Sequence, residues 1–282
     1  VSITLAEAAD QLGVHYMTAY RYVRTGRMVA EKRNGKWWVA PEDIDAVLAE
    51  GTGRRRGAVG ENQTPRQNLV EPFRARLVAG DTAGCWDLIS AALAGGATPV
   101  EVHRKFLQPA MAAVGEGWSR GELSISDEHR ATASAYRLLG QMGPLFRHRG
   151  RRRGTIVVGA ASGDYHALPT AILADMLCDR RFDVIDLGAN TPSESFLDAA
   201  RQADHLVGIG LCVVVTESLD TACTQLREIR AELPNVFLVA GGSPIVNSGD
   251  PEFEALADAV TTDSAEACDA FEQASLALLS TQ

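Results

Sequence analysis

The spacing of apolar residues changes along the chain and divides it into parts. Over residues 1–50, Leu5, Ala8, Ala9 and Leu12 share one helical face, and Thr4 with Glu7 three residues on forms a capping box. Gly13-Val14 then predicts a tight turn. A second helix follows from His15 to Thr25, with Met17, Ala19, Tyr20 and Val23 available for packing and Gly26 as its stop. From Met28 to Val39 the pattern alternates around Asn34-Gly35, a hairpin signal. Pro41 opens a helix that runs to Leu48. Helix, turn, helix, wing and helix predict a winged helix-turn-helix.

Residues 51–65 are rich in Gly, Arg and polar side chains without apolar periodicity, and read as a linker. Arg54, Arg55 and Arg56 within it either touch nucleic acid or are simply solvated. From 66 to 150 helical spacing returns: Leu69, Phe73 and Leu77; Trp86, Ile89 and Leu93; Val102, Phe106, Leu107, Met111 and Val114; then Ala131 to Phe146. Breaks at Gly80-Asp81, Gly95-Gly96 and Gly121-Glu122 predict a four-helix bundle. After a basic joint, Arg149 to Arg153, apolar runs at 155–159, 183–187, 206–211, 236–240 and 258–261 read as strands. They alternate with helical segments at 169–180, 192–203, 217–232 and 250–257, and a last helix covers 264–279. That repeat predicts a doubly wound parallel sheet over 151–282.

The 282 residues carry a net charge of -9, unevenly spread. Residues 1–60 hold nine Lys/Arg against seven Asp/Glu, and the remainder 18 against 29. A locally basic end on an acidic body suggests one module that faces nucleic acid, not a chain that coats it. The five cysteines form no C-x-x-C pair, which argues against a zinc site or a disulfide framework. No apolar run approaches the length of a membrane span and no signal peptide opens the chain, so the expectation is a cytoplasmic protein.

Candidate chemistry concentrates after the first strand of the sheet, in Gly163-Asp164-Tyr165-His166-Ala167-Leu168-Pro169. Ligands of open α/β sheets sit beyond the carboxyl ends of the strands. Read locally, His166 is either an ordinary loop histidine or a metal ligand whose tautomer Asp164 fixes. In the bundle, Trp118 is followed after nine residues by Glu128-His129, which is either a core tryptophan before a capped helix or part of a site. The loop Gly159-Ala160-Ala161-Ser162-Gly163 departs from G-x-G-x-x-G, which weakens a dinucleotide reading.

Residues 151–282 resemble the cobalamin-binding domain of methionine synthase and corrinoid proteins, whose pattern is D-x-H-x-x-G, S-x-L and G-G. Asp164-Tyr165-His166, then Cys212-Val213-Val214, then Gly241-Gly242 stand at these places. The resemblance implies that His166 is the lower cobalt ligand and Asp164 its partner. It also implies that Cys212, Val214, Thr216, Gly241 and Gly242 lie along the nucleotide tail, and that Leu168 is a further cofactor-binding residue. Trp-x9-Glu-His is similar to the bundle signature of the CarH/LitR family of cobalamin-dependent photoreceptor regulators, which places Trp118, Glu128 and His129 around the upper face of the cofactor. The first 50 residues resemble the winged helix-turn-helix of the MerR superfamily. That resemblance implies a second helix in the major groove presenting Tyr16, Thr18, Arg21, Tyr22 and Arg24, with Arg33 and Lys36 of the wing at phosphates.

Three positions depart from these patterns. Pro169 stands for the last Gly of the first motif, Cys212 and Val214 for Ser and Leu of the second, and Ser119 for the histidine that follows the tryptophan in the photoreceptors. Taken together, the resemblances imply a DNA-binding, oligomeric regulator rather than an enzyme, with adenosylcobalamin as cofactor and light as the signal. A light-insensitive cobalamin or tetrapyrrole sensor is the alternative. A corrinoid methyl carrier is a further one.

Overall fold

The computed structural model describes residues 3–12, 19, 23, 28–33, 36–44 and 69–280. The chain divides into two compact units, Val1–Gln67 and Asn68–Gln282.

In the first unit, β1 (Ile3–Thr4) leads into α1 (Leu5–Gln11), and β2 (Ala30–Arg33) pairs antiparallel with β3 (Lys36–Val39). The register places Arg33 opposite Lys36, as the hairpin reading expected; Asn34 and Gly35 themselves lie outside the described residues. The expected capping box is present: the Thr4 amide donates to Glu7 Oε2 at 2.8 Å and the Glu7 amide to Thr4 Oγ1 at 3.4 Å. Ile3-Thr4, expected only as a helix entry, also pairs with β3. Leu5, Ala8, Ala9, Ala19, Met28, Val39 and Ile44 are buried together.

The second unit begins with a bundle. α2 (Val70–Ala79) ends at Gly80, whose left-handed φ of 75° lets its amide close on the Arg76 and Leu77 carbonyls. α3 (Thr82–Ala94) is capped by Asp81. α4 (Pro99–Val102) opens on a Thr98–Glu101 capping box and runs through a π-helical turn (His103–Leu107) into α5 (Gln108–Ser119). α6 (Ile125–Met142) opens on a Ser124–Asp127 box and tightens into a 3₁₀ turn, Gly143–Phe146. All three predicted glycine breaks fall between helices.

The sheet follows, with β4 (Thr155–Ala160), α7 (Leu168–Asp179), β5 (Asp183–Asp186), α8 (Ser193–Gln202), β6 (Leu206–Cys212) and α9 (Leu219–Glu232). Then come β7 (Phe237–Gly241), α10 (Ser243–Ser248), α11 (Pro251–Leu256), β8 (Ala259–Thr261) and α12 (Ser264–Ser280). The five strands are parallel in the order β5-β4-β6-β7-β8. The chain therefore leaves β4 toward one edge and returns to β6 on the other side, so the crevice of this sheet lies beyond the ends of β4 and β6. Pro169 sits in the first turn of α7, where no intrahelical N–H partner is lost. The short α10 was not foreseen.

The boundary read at 150/151 separates two folds but not two bodies. Phe73, Leu77, Leu138 and Phe146 of the bundle share one buried cluster with Ile156, Ile172, Met176 and Phe271 of the sheet region. The basic joint is tied down as well: Arg153 donates its amide to the Arg181 carbonyl at 3.0 Å, and its carbonyl accepts from Ser275 Oγ at 3.0 Å. Polar ties cross the same boundary from Arg104 to Asp263 at 3.1 Å, from Gln108 to Ser264 at 2.8 Å and from His148 to Asp179 at 2.9 Å.

Candidate functional site

Asp164 organises the crevice. Its side chain is fully buried and ties together the loops that follow β4 and β6. Oδ2 accepts from the amides of Val214 at 2.6 Å and Val215 at 3.2 Å. Oδ1 accepts from the His166 amide at 3.1 Å and lies 2.8 Å from His166 Nδ1. Burial alone would raise its pKa. The hydrogen bonds from the His166 ring and from the Val214, His166 and Val215 amides outweigh burial and hold it below the ordinary carboxylate value. An ionised carboxylate only accepts, so the proton of the neutral imidazole sits on Nδ1. The hydrogen bond to Asp164, working against partial burial, raises the His166 pKa, with the Asp164 and Glu128 charges adding to it. Nε2 has no hydrogen-bond partner among the described residues, and the ring is half exposed.

Two residues that sequence reasoning passed over hold the rest of this loop. Gln225 of α9 accepts from the Ser162 amide at 2.8 Å and donates to the Thr191 carbonyl at 2.8 Å. Asn190, at φ 50°, accepts from the Gly163 amide at 2.8 Å while its own amide donates to the Asp164 carbonyl at 2.7 Å. Neither has a sequence signal, because each partner is 26 residues or more away along the chain.

The α6 helix packs on the sheet region, with Ala131, Ala135 and Leu138 in the core cluster that holds Leu168 and Ile172. Glu128 of its first turns and His166 influence one another's charge, as do Tyr136 and Asp186 at the end of β5. Thr132 Oγ1 donates to Glu128 Oε1 at 2.7 Å, and His129 Nδ1 lies 2.6 Å from Glu128 Oε2. Burial works to raise the Glu128 pKa, but these hydrogen bonds and the neighbouring imidazoles bring it below its ordinary value. Thr132 and Tyr136 stand one and two turns beyond Glu128 on the same face, a stripe that the Trp-x9-Glu-His spacing did not include. Trp118, at the end of α5, is 51% exposed and so is not the core tryptophan of the local alternative. Ser119 turns back on its own helix, donating to the Glu116 carbonyl at 2.8 Å.

The other expected cofactor residues separate into kinds. Leu168 is buried in the core shared with the bundle, and packing accounts for it. Cys212 is partly buried, and desolvation, with the Asp164 charge, pushes its thiol up to about 12. Val214 and Thr216 are exposed, while Val213 just before them is buried in the core. Gly242 was expected to let the tail approach; its more immediate reason is Val213. A Cβ at Gly242, at φ 120°, would lie 1.8 Å from the Val213 carbonyl oxygen. At Gly241 the nearest atom to such a Cβ is 3.5 Å away, an ordinary contact.

Of the residues expected at DNA, Tyr16, Thr18, Arg21, Tyr22 and Arg24 lie outside the described residues. Lys36 is described for its backbone, in β3. Arg33 is exposed on the hairpin but engaged by Glu31, its Nη2 lying 2.5 Å from Oε2. Among the described residues no helix is long and apolar enough to cross a membrane.

This arrangement fits a corrinoid: one imidazole nitrogen is left untied at the crevice, its far side anchored to a buried carboxylate, beneath a polar stripe of the bundle. Comparison with known proteins agrees. Residues 154–272 match the family described as B12 binding domain, and residues 69–142 match a second family with that description. These segments are B12-binding domains. Residues 2–52 match a family described as helix-turn-helix domain, so the cobalamin-binding region is joined to a DNA-binding motif.

The B12-binding region is similar to corrinoid proteins. Monomethylamine corrinoid protein 1 of Methanosarcina mazei is 26% identical over 209 residues, which is 71% of this chain and 94% of that protein. Trimethylamine corrinoid protein 1 of the same organism is 28% identical over 56% of this chain and 76% of its own length. The structure of the Methanosarcina barkeri monomethylamine corrinoid protein shares the fold, with a TM-score of 0.61 at 22% identity, over 72% of this chain and 96% of that one.

Proposed function

We propose that this chain is a cobalamin-responsive DNA-binding regulator of the cytoplasm, acting by binding rather than by catalysis. The observation that carries this reading is the joining of a helix-turn-helix match at residues 2–52 to the two B12-binding matches. The monomethylamine corrinoid protein is taken up over 94% of its length by 71% of this chain, so the remainder of this chain has no counterpart there.

In this reading His166 would hold the cobalt through Nε2, with Asp164 keeping the proton on Nδ1. The Val214 and Val215 amides and Gln225 hold that loop in place before the cofactor arrives, which lowers the cost of ordering it. When bound, the corrin supplies a cobalt whose upper bond is open to exchange and, for an adenosyl group, to light. Trp118, Glu128 and His129 would line the space for that group. A change there shifts how bundle and sheet are held, and with it an oligomer whose paired readers must match half-site spacing. The helix-turn-helix match at residues 2–52 supports a DNA contact, which the resemblance to a MerR-type reader assigns to the major groove through Tyr16, Thr18, Arg21, Tyr22 and Arg24.

Selection of DNA sites from a random pool, with and without adenosylcobalamin, in darkness and under green light, tests this. The expected result is a selected operator whose affinity depends on the cofactor, together with a change of oligomer size on illumination. Selection of no sequence would sink the regulator. Cofactor dependence without any light effect would leave the light-insensitive sensor. A second reading, a corrinoid methyl carrier, is favoured by the names of the curated relatives; it predicts methyl transfer to and from the bound cobalt and no preferred DNA sequence.

A further inference from the structure

The basic joint before β4 is an ordered strap that carries unpaired charge. It runs from Arg147 to Gly154 without helix or strand, and its Arg153 end is bonded to Arg181 and Ser275. Arg147, Arg149, Arg151 and, beside them, Arg181 are exposed and have no ion-pair partner among the described residues. The acids of this surface are engaged by other groups: Asp179 lies 2.9 Å from His148, Asp183 3.3 Å from Arg152, and Glu272 2.8 Å from Arg153 and 2.7 Å from Arg180. Elsewhere in residues 69–280 every lysine and arginine except Arg137 is in an ion pair. Unpaired positive charge therefore collects at one place on a body whose residues from 61 onward hold 18 Lys/Arg against 29 Asp/Glu.

The strap also leaves backbone bare. A Cβ at Gly150, at φ 119°, would lie 3.9 Å from Arg181 Nη1, with no other group as near, and the amides of Arg149, Gly150 and Arg151 have no acceptor among the described residues. Arg181 follows α7, where a cation complements the helix dipole; Arg149 and Arg151 lie outside any helix and have no such reason. The surface is at the far end of the sheet from the crevice, because the strap enters β4 at Thr155 and α7 runs from the His166 loop to Asp179. A ligand in the crevice is therefore not what these arginines meet.

We propose that Arg147, Arg149, Arg151 and Arg181 contact the phosphate backbone of the DNA that the helix-turn-helix reads, a second contact made by the B12-binding region itself. The inference rests on the DNA-binding reading above. A guanidinium fork matches phosphate oxygens two at a time, and such contacts add affinity and register without reading bases.

The test is the salt dependence of binding by the full chain, with adenosylcobalamin in darkness, to a fluorescently labelled DNA duplex of mixed sequence. Each phosphate contact contributes about 0.9 to the slope of log affinity against log salt. Replacing three of the arginines together, Arg147→Gln, Arg149→Gln and Arg151→Gln, should make that slope shallower by about 2–3, and Arg181→Gln alone by about 1. The side chains are exposed, so the variants should keep the wild-type melting temperature. A control with the same change of net charge, Arg120→Gln, Arg201→Gln and Arg227→Gln, should keep the wild-type slope. A triple variant with the wild-type slope, or a control that loses as much, overturns the inference while leaving the reader in place. Oligomer size is measured alongside: a triple variant of altered size assigns the strap to contacts between copies of this chain and also overturns it. A wild type that binds no duplex at any salt overturns the DNA-binding reading itself.

Discussion

His103 Nε2 lies 3.0 Å from Asp175 Oδ2, joining the π-helical turn of the bundle to the helix that leads out of the His166 loop. The imidazole is fully buried and stacks on Phe146, with ring centroids 4.7 Å apart. Its Nδ1 has no partner, so Asp175 is the only polar contact its ring makes among the described residues. Asp175→Ala should therefore cost about 1–3 kcal/mol, the penalty for leaving a buried polar atom unpaired. His103→Phe combined with Asp175→Ala should recover part of that loss, because both polar partners are then gone. Chemical denaturation of the single and double variants checks this; additive losses would mean that the contact carries no coupling.

Asp164 supports two loops at once. Asp164→Ala should cost about 1–3 kcal/mol for each amide left unpaired, and should weaken cobalamin uptake by about 10–100-fold through the freed imidazole. Thermal unfolding and a cofactor titration read the two effects separately. Loss of stability with undiminished uptake would count against its role behind His166.

The neighbouring glycines should respond oppositely. Gly242→Ala drives a Cβ into the Val213 carbonyl and should prevent stable folding. Gly241→Ala meets ordinary contact at 3.5 Å and should fold. Expression and melting temperature decide the first point. If Gly241→Ala folds but binds cobalamin less tightly, the cofactor passes on the Cβ side of Gly241.

Acid should loosen the bundle at α4. The Lys105 hydrogen bond, together with the Thr98 amide, holds the Glu101 pKa at about 2. A depressed folded-state pKa contributes stability above the ordinary value of 4.5, and that contribution is lost as pH falls from there through about 2. The melting temperatures of wild type and Glu101→Gln should therefore differ most near neutrality and converge on acidification. A gap that stays constant with pH would exclude the carboxylate as its source.

Much of this protein could be read in one dimension. The helix breaks at Gly80, Gly95 and Gly121, the Asn34-Gly35 hairpin and the alternation from Thr155 onward are local signals, since capping, turn geometry and side-chain period act within a few residues. The Asp164–His166 contact was legible for the same reason, because its partners are two residues apart. What the tertiary structure decided depends on partners far apart in sequence. It merged bundle and sheet into one core, placed the Val214 amide under a carboxylate 50 residues earlier, and brought the charge of Glu128 to bear on His166. It also gave Gly242 a reason that no local signal carried, the Val213 carbonyl that a Cβ there would strike. Periodicity cannot report such pairings: hydrophobic burial specifies which faces must be covered, and only the packed chain specifies by what.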